Sequence, residues 1–202
     1  MSHNLRSSFK LIFRQSILLV LGLTLISSCI ITRTPGFYSG YKRLTSDEKR
    51  KIIIVKNMDV LPALSDSITY AITAKHLEKI LRKSTKAIVY FWSPNCSSNV
   101  CIPLFAFQNF CKENGYEAIV VAEYFDYEQL SIQGVNPNKV FAINHWHYGR
   151  DYCNTYVRKF KESLFDLFDA QFNKKAFSQY LYYNEQTLST NKPTHLTKYP
   201  WR

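Results

Sequence analysis

Cys96 and Cys101 stand five positions apart in the stretch YFWSPNCSSNVC (90–101), directly after a run of β-branched and aromatic residues. Thiols this close can exchange electrons with another protein: a thiolate attacks a disulfide and its neighbour resolves the mixed disulfide. They can equally be joined as a static staple, and their residue types leave both uses open. Geometry constrains the bond. Five residues of continuous helix rise about 7.5 Å, whereas bridged Cα atoms usually stand within about 6.8 Å. A Cys96–Cys101 bond therefore requires Cys96 to lie in the loop ahead of a helix, or the first turn to unwind.

The remaining cysteines read differently. Cys111 shares a helical face with Leu104 and Phe107, which predicts a buried, apolar thiol. Cys153 stands near the start of the last helix, where pairing and burial are both open. Four cysteines follow Cys29, and four allow three full pairings that spacing alone does not decide. His145 and His147 lie at i, i+2 in NHWHYGRDYC with no third ligand beside them, so they read as loop or surface residues. No metal-ligand spacing, Gly-rich phosphate loop or internal repeat is present, and no cofactor is implied. The tyrosines of YEAIVVAEYFDYEQL and YLYYNE suggest a contact surface.

These residues need elements to hold them. IIIV (52–55) predicts an edge strand and ITYAI (68–72) a second strand. Thr73 can cap a helix running through Ser84, because Leu77, Ile80 and Leu81 recur at helical spacing. KAIVYFW (86–92) is apolar on both alternating faces and predicts a buried central strand. After Pro94 a turn should lead into a helix over 97–113, stopped by Gly115. YEAIVVAEYF (116–125) reads as a strand, DYEQLSI (126–132) as one or two helical turns, and GVNPNKVFAIN (134–144) as a turn and a strand. Tyr156, Phe160, Leu164, Leu167 and Phe168 mark an amphipathic helix over 151–168. The alternation predicts an α/β fold, an open sheet flanked by helices. A short helix is expected near 174–183, in an otherwise loosely held polar tail.

The N-terminus bears on location. Arg6, Lys10 and Arg14 precede the apolar stretch SILLVLGLTLI (16–26), and small Ser27 and Ser28 precede Cys29. This tripartite pattern resembles the signal peptide and lipobox of bacterial lipoproteins. The resemblance implies cleavage after residue 28, acylation of Cys29 and a membrane partner held through that lipid, in the bacterial cell envelope. The expected organisation is then a signal peptide (1–28), a tether with an extra strand (29–65), the main domain (66–170) and a tail (171–202). Removing Arg6, Lys10 and Arg14 takes 26 basic residues to 23 against 15 acidic, a formal charge of +8 where the whole chain has +11. Attraction to anionic lipid accounts for that charge without nucleic acid.

FWSPNC resembles the active-site stretch FWAxWC of the thioredoxin-like proteins, in particular the membrane-tethered thiol–disulfide oxidoreductases of the bacterial envelope. Phe91 and Trp92 match, and Cys96 falls at the nucleophile. Pro103 resembles the family's helix proline. Pro137 resembles its cis-proline, which faces the cysteines. The resemblance covers about residues 66–170. It implies a thioredoxin-like fold, Cys96 and Cys101 as catalytic pair, and Trp92, Pro94 and Pro137 along a substrate groove. It also implies exported cysteine-containing proteins and a reducing partner as the proteins it meets. A cysteine in the first turn of a helix would have its thiolate stabilised by the free N–H groups and the dipole.

Two positions depart from the family: Asn99 stands where its second cysteine would be, and Tyr90 replaces its buried acid. They support an alternative, a redox-inactive fold kept as a binding or accessory module. The spacing also resembles some peroxiredoxins, with Ser93 as the hydroxyl beside a peroxidatic Cys96. In another register Pro94, Ser98 and Cys101 fit PxxxSxxC.

Overall fold

Lys86–Trp92 is buried at every position after the lysine, and this strand, β3, has a neighbour along each edge. The computed structural model describes residues 15–17, 34–56, 68–98, 101–133, 140–171, 179–191, 193 and 196. The other strands are β1 (Ile52–Ile54), β2 (Thr69–Ile72), β4 (Glu117–Ala122), β5 (Val140–Ile143), β6 (Tyr180–Asn184) and β7 (Thr187–Ser189). The helices are α1 (Ser46–Arg50), α2 (Ala74–Leu81), α3 (Leu104–Glu113), α4 (Tyr127–Ile132) and α5 (Cys153–Leu167). The seven strands form one mixed sheet in the order β1-β2-β5-β4-β3-β6-β7. The first five in that order run parallel, while β6 and β7 form an antiparallel hairpin against β3. The α/β class read from the sequence is the class observed. Among the described residues, no helix is long and apolar enough to cross a membrane.

The period-2 alternation of β3 sorts its side chains between two layers. Ala87, Val89 and Phe91 pack with Leu77 of α2 and with Tyr156, Phe160 and Leu164 of α5. Ile88, Tyr90 and Trp92 face Leu104, Phe107 and Phe110 of α3, with Leu130 of α4. Helices therefore cover both faces, as a largely parallel sheet requires.

Three expectations are corrected. The helix expected over 97–113 begins only at Leu104. A proline within a helix removes a hydrogen bond and clashes with the preceding turn, so Pro103 precedes the helix instead of kinking it. The Leu104 N–H is taken up by Gln133 Oε1 at 3.1 Å. Secondly, of the short helix expected near 174–183, residues 174–178 lie outside the described residues, and Tyr180–Asn184 is a strand. Its β-favouring tyrosines complete the free edge of β3.

Thirdly, the segment before β1 is no free tether from Thr34 onward. Phe125 N–H donates to Ser39 O at 2.7 Å, and Cys153 N–H donates to Phe37 O at 2.8 Å. Gly40 makes this docking feasible. Its φ is +77°, and a Cβ there would meet Phe125 O at 2.4 Å.

Candidate functional site

The parallel strands end together at one edge, where loops of open α/β sheets gather to bind ligands. Beyond Trp92 the chain turns: Cys96 N–H donates to Ser93 O at 3.0 Å. Asn95 pins that turn to the end of β4, its N–H donating to Tyr124 Oη at 2.9 Å and its Nδ2 to Asp126 Oδ2 at 2.7 Å. Cys96 and Cys101 are bridged, with their Cα atoms 6.0 Å apart. Both are half-buried and lie outside the helix, as the spacing requires for a bond. The local cause is composition: Asn95, Ser97 and Ser98 favour turns, and Pro103 sets the helix start. Cys96 therefore lacks the helix N-terminus that the resemblance implies for it, and so lacks that source of thiolate stabilisation.

Gln179, just ahead of β6, meets the bridge from the neighbouring strand. Its Nε2 donates to Cys101 Sγ at 3.2 Å, and its carbonyl accepts from Phe91 N–H at 2.8 Å. Pro137, like Cys29, lies outside the described residues. β5, the strand after Pro137, is separated from β3 by β4. Trp92 and Pro94, expected along a groove, are buried. Alternation sends Trp92 into the layer beneath α3, away from the cleft.

Continuing the same alternation places Ser93 and Glu123 on the α5 side. A cleft of about 320 Å³ opens there, lined by Phe37, Ser93, Cys96, Glu123, Tyr152 and Cys153 among others. A larger cavity of about 820 Å³ lies between α2 and α3 near Glu117 and holds no cysteine. Glu123 is the hub of the smaller cleft. Ser93 Oγ donates to its carboxylate, Tyr156 Oη donates to its carbonyl, and Lys161 Nζ stands 3.7 Å from Oε1. Lys161 also sits 4.1 Å over the ring of Phe91. Burial pushes the Lys161 ammonium down to about 8, against the attraction of Glu123.

The sequence reading missed Glu123 and Lys161. Each leaves a trace: an acid closing the apolar run AIVVA, and a lysine inside the apolar stripe of Val157, Phe160 and Leu164. Tyr90, where the family keeps its acid, faces the other layer, donates to Ile102 O at 3.4 Å and stacks on Tyr180 at 4.8 Å. A carboxylate is thus present in the cleft that Cys96 lines, supplied by the residue that follows β4.

Cys111 and Cys153 are free and buried, and burial pushes each thiol up to about 12. Cys153 Sγ lies 3.7 Å from Glu123 O. His145 is buried, not exposed as its loop position suggests. It packs against Trp146 at 3.8 Å and lies 3.9 Å from Asp151. Among the described residues no three His, Cys, Asp or Glu side chains are grouped to hold a metal ion. Comparison with protein-family models, with curated proteins and with solved structures finds no match for this chain.

Proposed function

We propose that this chain is a lipid-anchored protein of the bacterial cell envelope with a thioredoxin-like redox site, exchanging disulfides with exported proteins through Cys96 and Cys101. One observation carries the reading: a short-range disulfide, half-open to solvent, whose Cys96 lines the same cleft as the buried Glu123. A purely structural staple has no need of a cleft or of a carboxylate in it.

In the reduced protein, the Cys96 thiolate attacks one sulfur of a substrate disulfide and expels the other as a thiolate. The Cys101 thiolate then attacks Cys96 Sγ, releasing the second substrate thiolate and closing the Cys96–Cys101 bond. Two electrons pass to the substrate, and a dithiol reductant of the envelope restores the pair. Glu123, which lines the same cleft as Cys96, takes the cysteine proton in this reading, and Ser93 and Lys161 hold its carboxylate. Gln179 positions Cys101.

One observation favours the accessory-module reading: α3 starts at Leu104, so neither cysteine sits in the first turn of a helix, where free N–H groups would stabilise a thiolate. The purified full-length chain, equilibrated against glutathione, decides between them. A bond that opens and closes reversibly, together with disulfide-reductase activity lost in Cys96→Ser, is the expected result. A bond resistant below about −300 mV would make it a structural staple, and full activity in Cys96→Ser would sink the redox reading.

A further inference from the structure

Four of the five exposed aromatic side chains among the described residues gather at the carboxyl edge of the sheet: Phe37 (39 % exposed), Tyr38 (36 %), Trp146 (39 %) and Tyr152 (42 %). Only Phe105 lies elsewhere. They fall in two groups: Phe37 and Tyr38 pack on Tyr152 with ring centres 6.3 and 6.2 Å apart, and Trp146 meets Tyr41 edge-on at 4.6 Å. Basic side chains run through the same surface. Lys49 Nζ sits 5.4 Å over the Tyr41 ring, Lys42 reaches Asp151 at 3.2 Å, and Arg150 is exposed beside it. Half-exposed Trp and Tyr rings interleaved with Lys and Arg suit the headgroup layer of a bilayer, where one end of each ring is apolar and the other wet.

The position of the anchor selects that occupant. Thr34 is held against this surface, its carbonyl accepting from Phe37 N–H at 3.5 Å. Thr34 lies five positions after Cys29, and five fully extended residue steps reach at most about 18 Å. A lipid on Cys29 therefore keeps this edge near the bilayer and leaves no room for a large partner between them. The mature chain's net charge of +8 adds attraction to anionic headgroups.

We infer that the surface formed by Phe37, Tyr38, Trp146 and Tyr152, with Lys42, Lys49 and Arg150, rests on the anionic membrane surface. This rests on the lipid-anchor reading given above. It also turns the mouth of the Cys96 cleft, which Phe37 and Tyr152 line, toward the membrane, so the substrates favoured are cystines held close to the bilayer.

The test uses the full-length chain produced in a bacterial host and placed in vesicles of phosphatidylglycerol and phosphatidylethanolamine with brominated acyl chains. Bromine quenches tryptophan emission on contact, and the chain has three tryptophans: Trp92, which is buried, Trp146 and Trp201. Wild-type emission should fall, most of the fall should vanish in Trp146→Phe, and it should shrink when phosphatidylcholine replaces the anionic lipid. Equal quenching in wild type and variant, or none in either, overturns the inference. So does a Trp146 signal that responds to a cystine-containing peptide and not to lipid, which would make the surface a peptide platform. Wild type compared between the two lipid mixtures needs no variant to fold. The protein's mass reports acylation of Cys29 separately. A chain without acyl groups sinks the anchor reading, while the quenching still scores this surface in the same way.

Discussion

Lys161 Nζ stands 3.7 Å from Glu123 Oε1, with the lysine side chain 1 % and the glutamate side chain 10 % exposed. Two charges withdrawn from water in this way depend on each other more than they stabilise the fold. Their mutual attraction roughly offsets the cost of removing both from solvent, whereas a single survivor bears that cost alone.

Lys161→Met should therefore cost about 3–5 kcal/mol, as measured by urea unfolding, because it leaves the buried Glu123 carboxylate without its counter-charge. The double replacement Glu123→Gln, Lys161→Met should recover most of that loss. If the two single losses simply add in the double variant, the groups are not coupled.

His145 makes stability depend on pH on the acid side. Burial pushes its imidazole down to about 4, against the attraction of Asp151, and Lys42 adds to the lowering. In the unfolded chain it titrates near 6.5. Between those values the unfolded state binds a proton that the folded state refuses. Stability is then complete above about pH 6.5 and falls as pH drops toward 4, by roughly 3 kcal/mol at about 1.4 kcal/mol per unit. His145→Gln should flatten that slope. Asp151, whose carboxyl is held below its ordinary range by Ser39 and Lys42 despite the opposing effect of burial, adds its own loss further into acid.

Much of this arrangement is legible in the residues themselves. Ala87–Trp92 reads as an interior strand and Cys111 as a buried thiol, because both are apolar in an apolar pattern, and both are found so. What escaped reading depends on tertiary partners. Glu123 and Lys161 look like ordinary charges until α5 is laid across the end of β4. The start of α3 turns on Pro103 and on a cap from Gln133, two elements further along the chain. The C-terminal hairpin hides for a third reason. Its two-residue turn is Glu185–Gln186, at φ +44° and +72°, where glycine or asparagine would ordinarily signal such a turn.

That turn yields a prediction. Both central residues occupy the left-handed region, which costs a residue with a Cβ about 1–2 kcal/mol. Replacing Glu185–Gln186 by Asn–Gly keeps the strand register Asn184↔Thr187 and relieves the strain. Arg82 gives up its bond to Gln186 Oε1 at 2.7 Å, an exposed contact of small worth. The variant should gain about 1 kcal/mol in urea unfolding. A loss of stability would show that the Arg82 contact outweighs the backbone strain.

Two buried tyrosines of the α5-side core should respond to loss of their hydroxyls in opposite directions. Tyr183 is fully buried, and among the described residues its Oη has no hydrogen-bond partner. An unsatisfied buried hydroxyl carries a desolvation cost of about 1–3 kcal/mol with nothing to offset it. Phenylalanine there keeps the edge-to-face contact with Phe168 at 5.6 Å. Tyr183→Phe should therefore stabilise the protein by about 1 kcal/mol, with an unchanged denaturant slope. Tyr156 differs in one bond, because its Oη donates to Glu123 O. Tyr156→Phe leaves that carbonyl with only the weak thiol contact from Cys153, so it should lose about 1–2 kcal/mol. Measured side by side, the pair separates the value of the hydrogen bond from that of the ring. Equal effects at both positions would mean that the Tyr183 hydroxyl is bonded after all, and that its burial is not a source of stability to be gained.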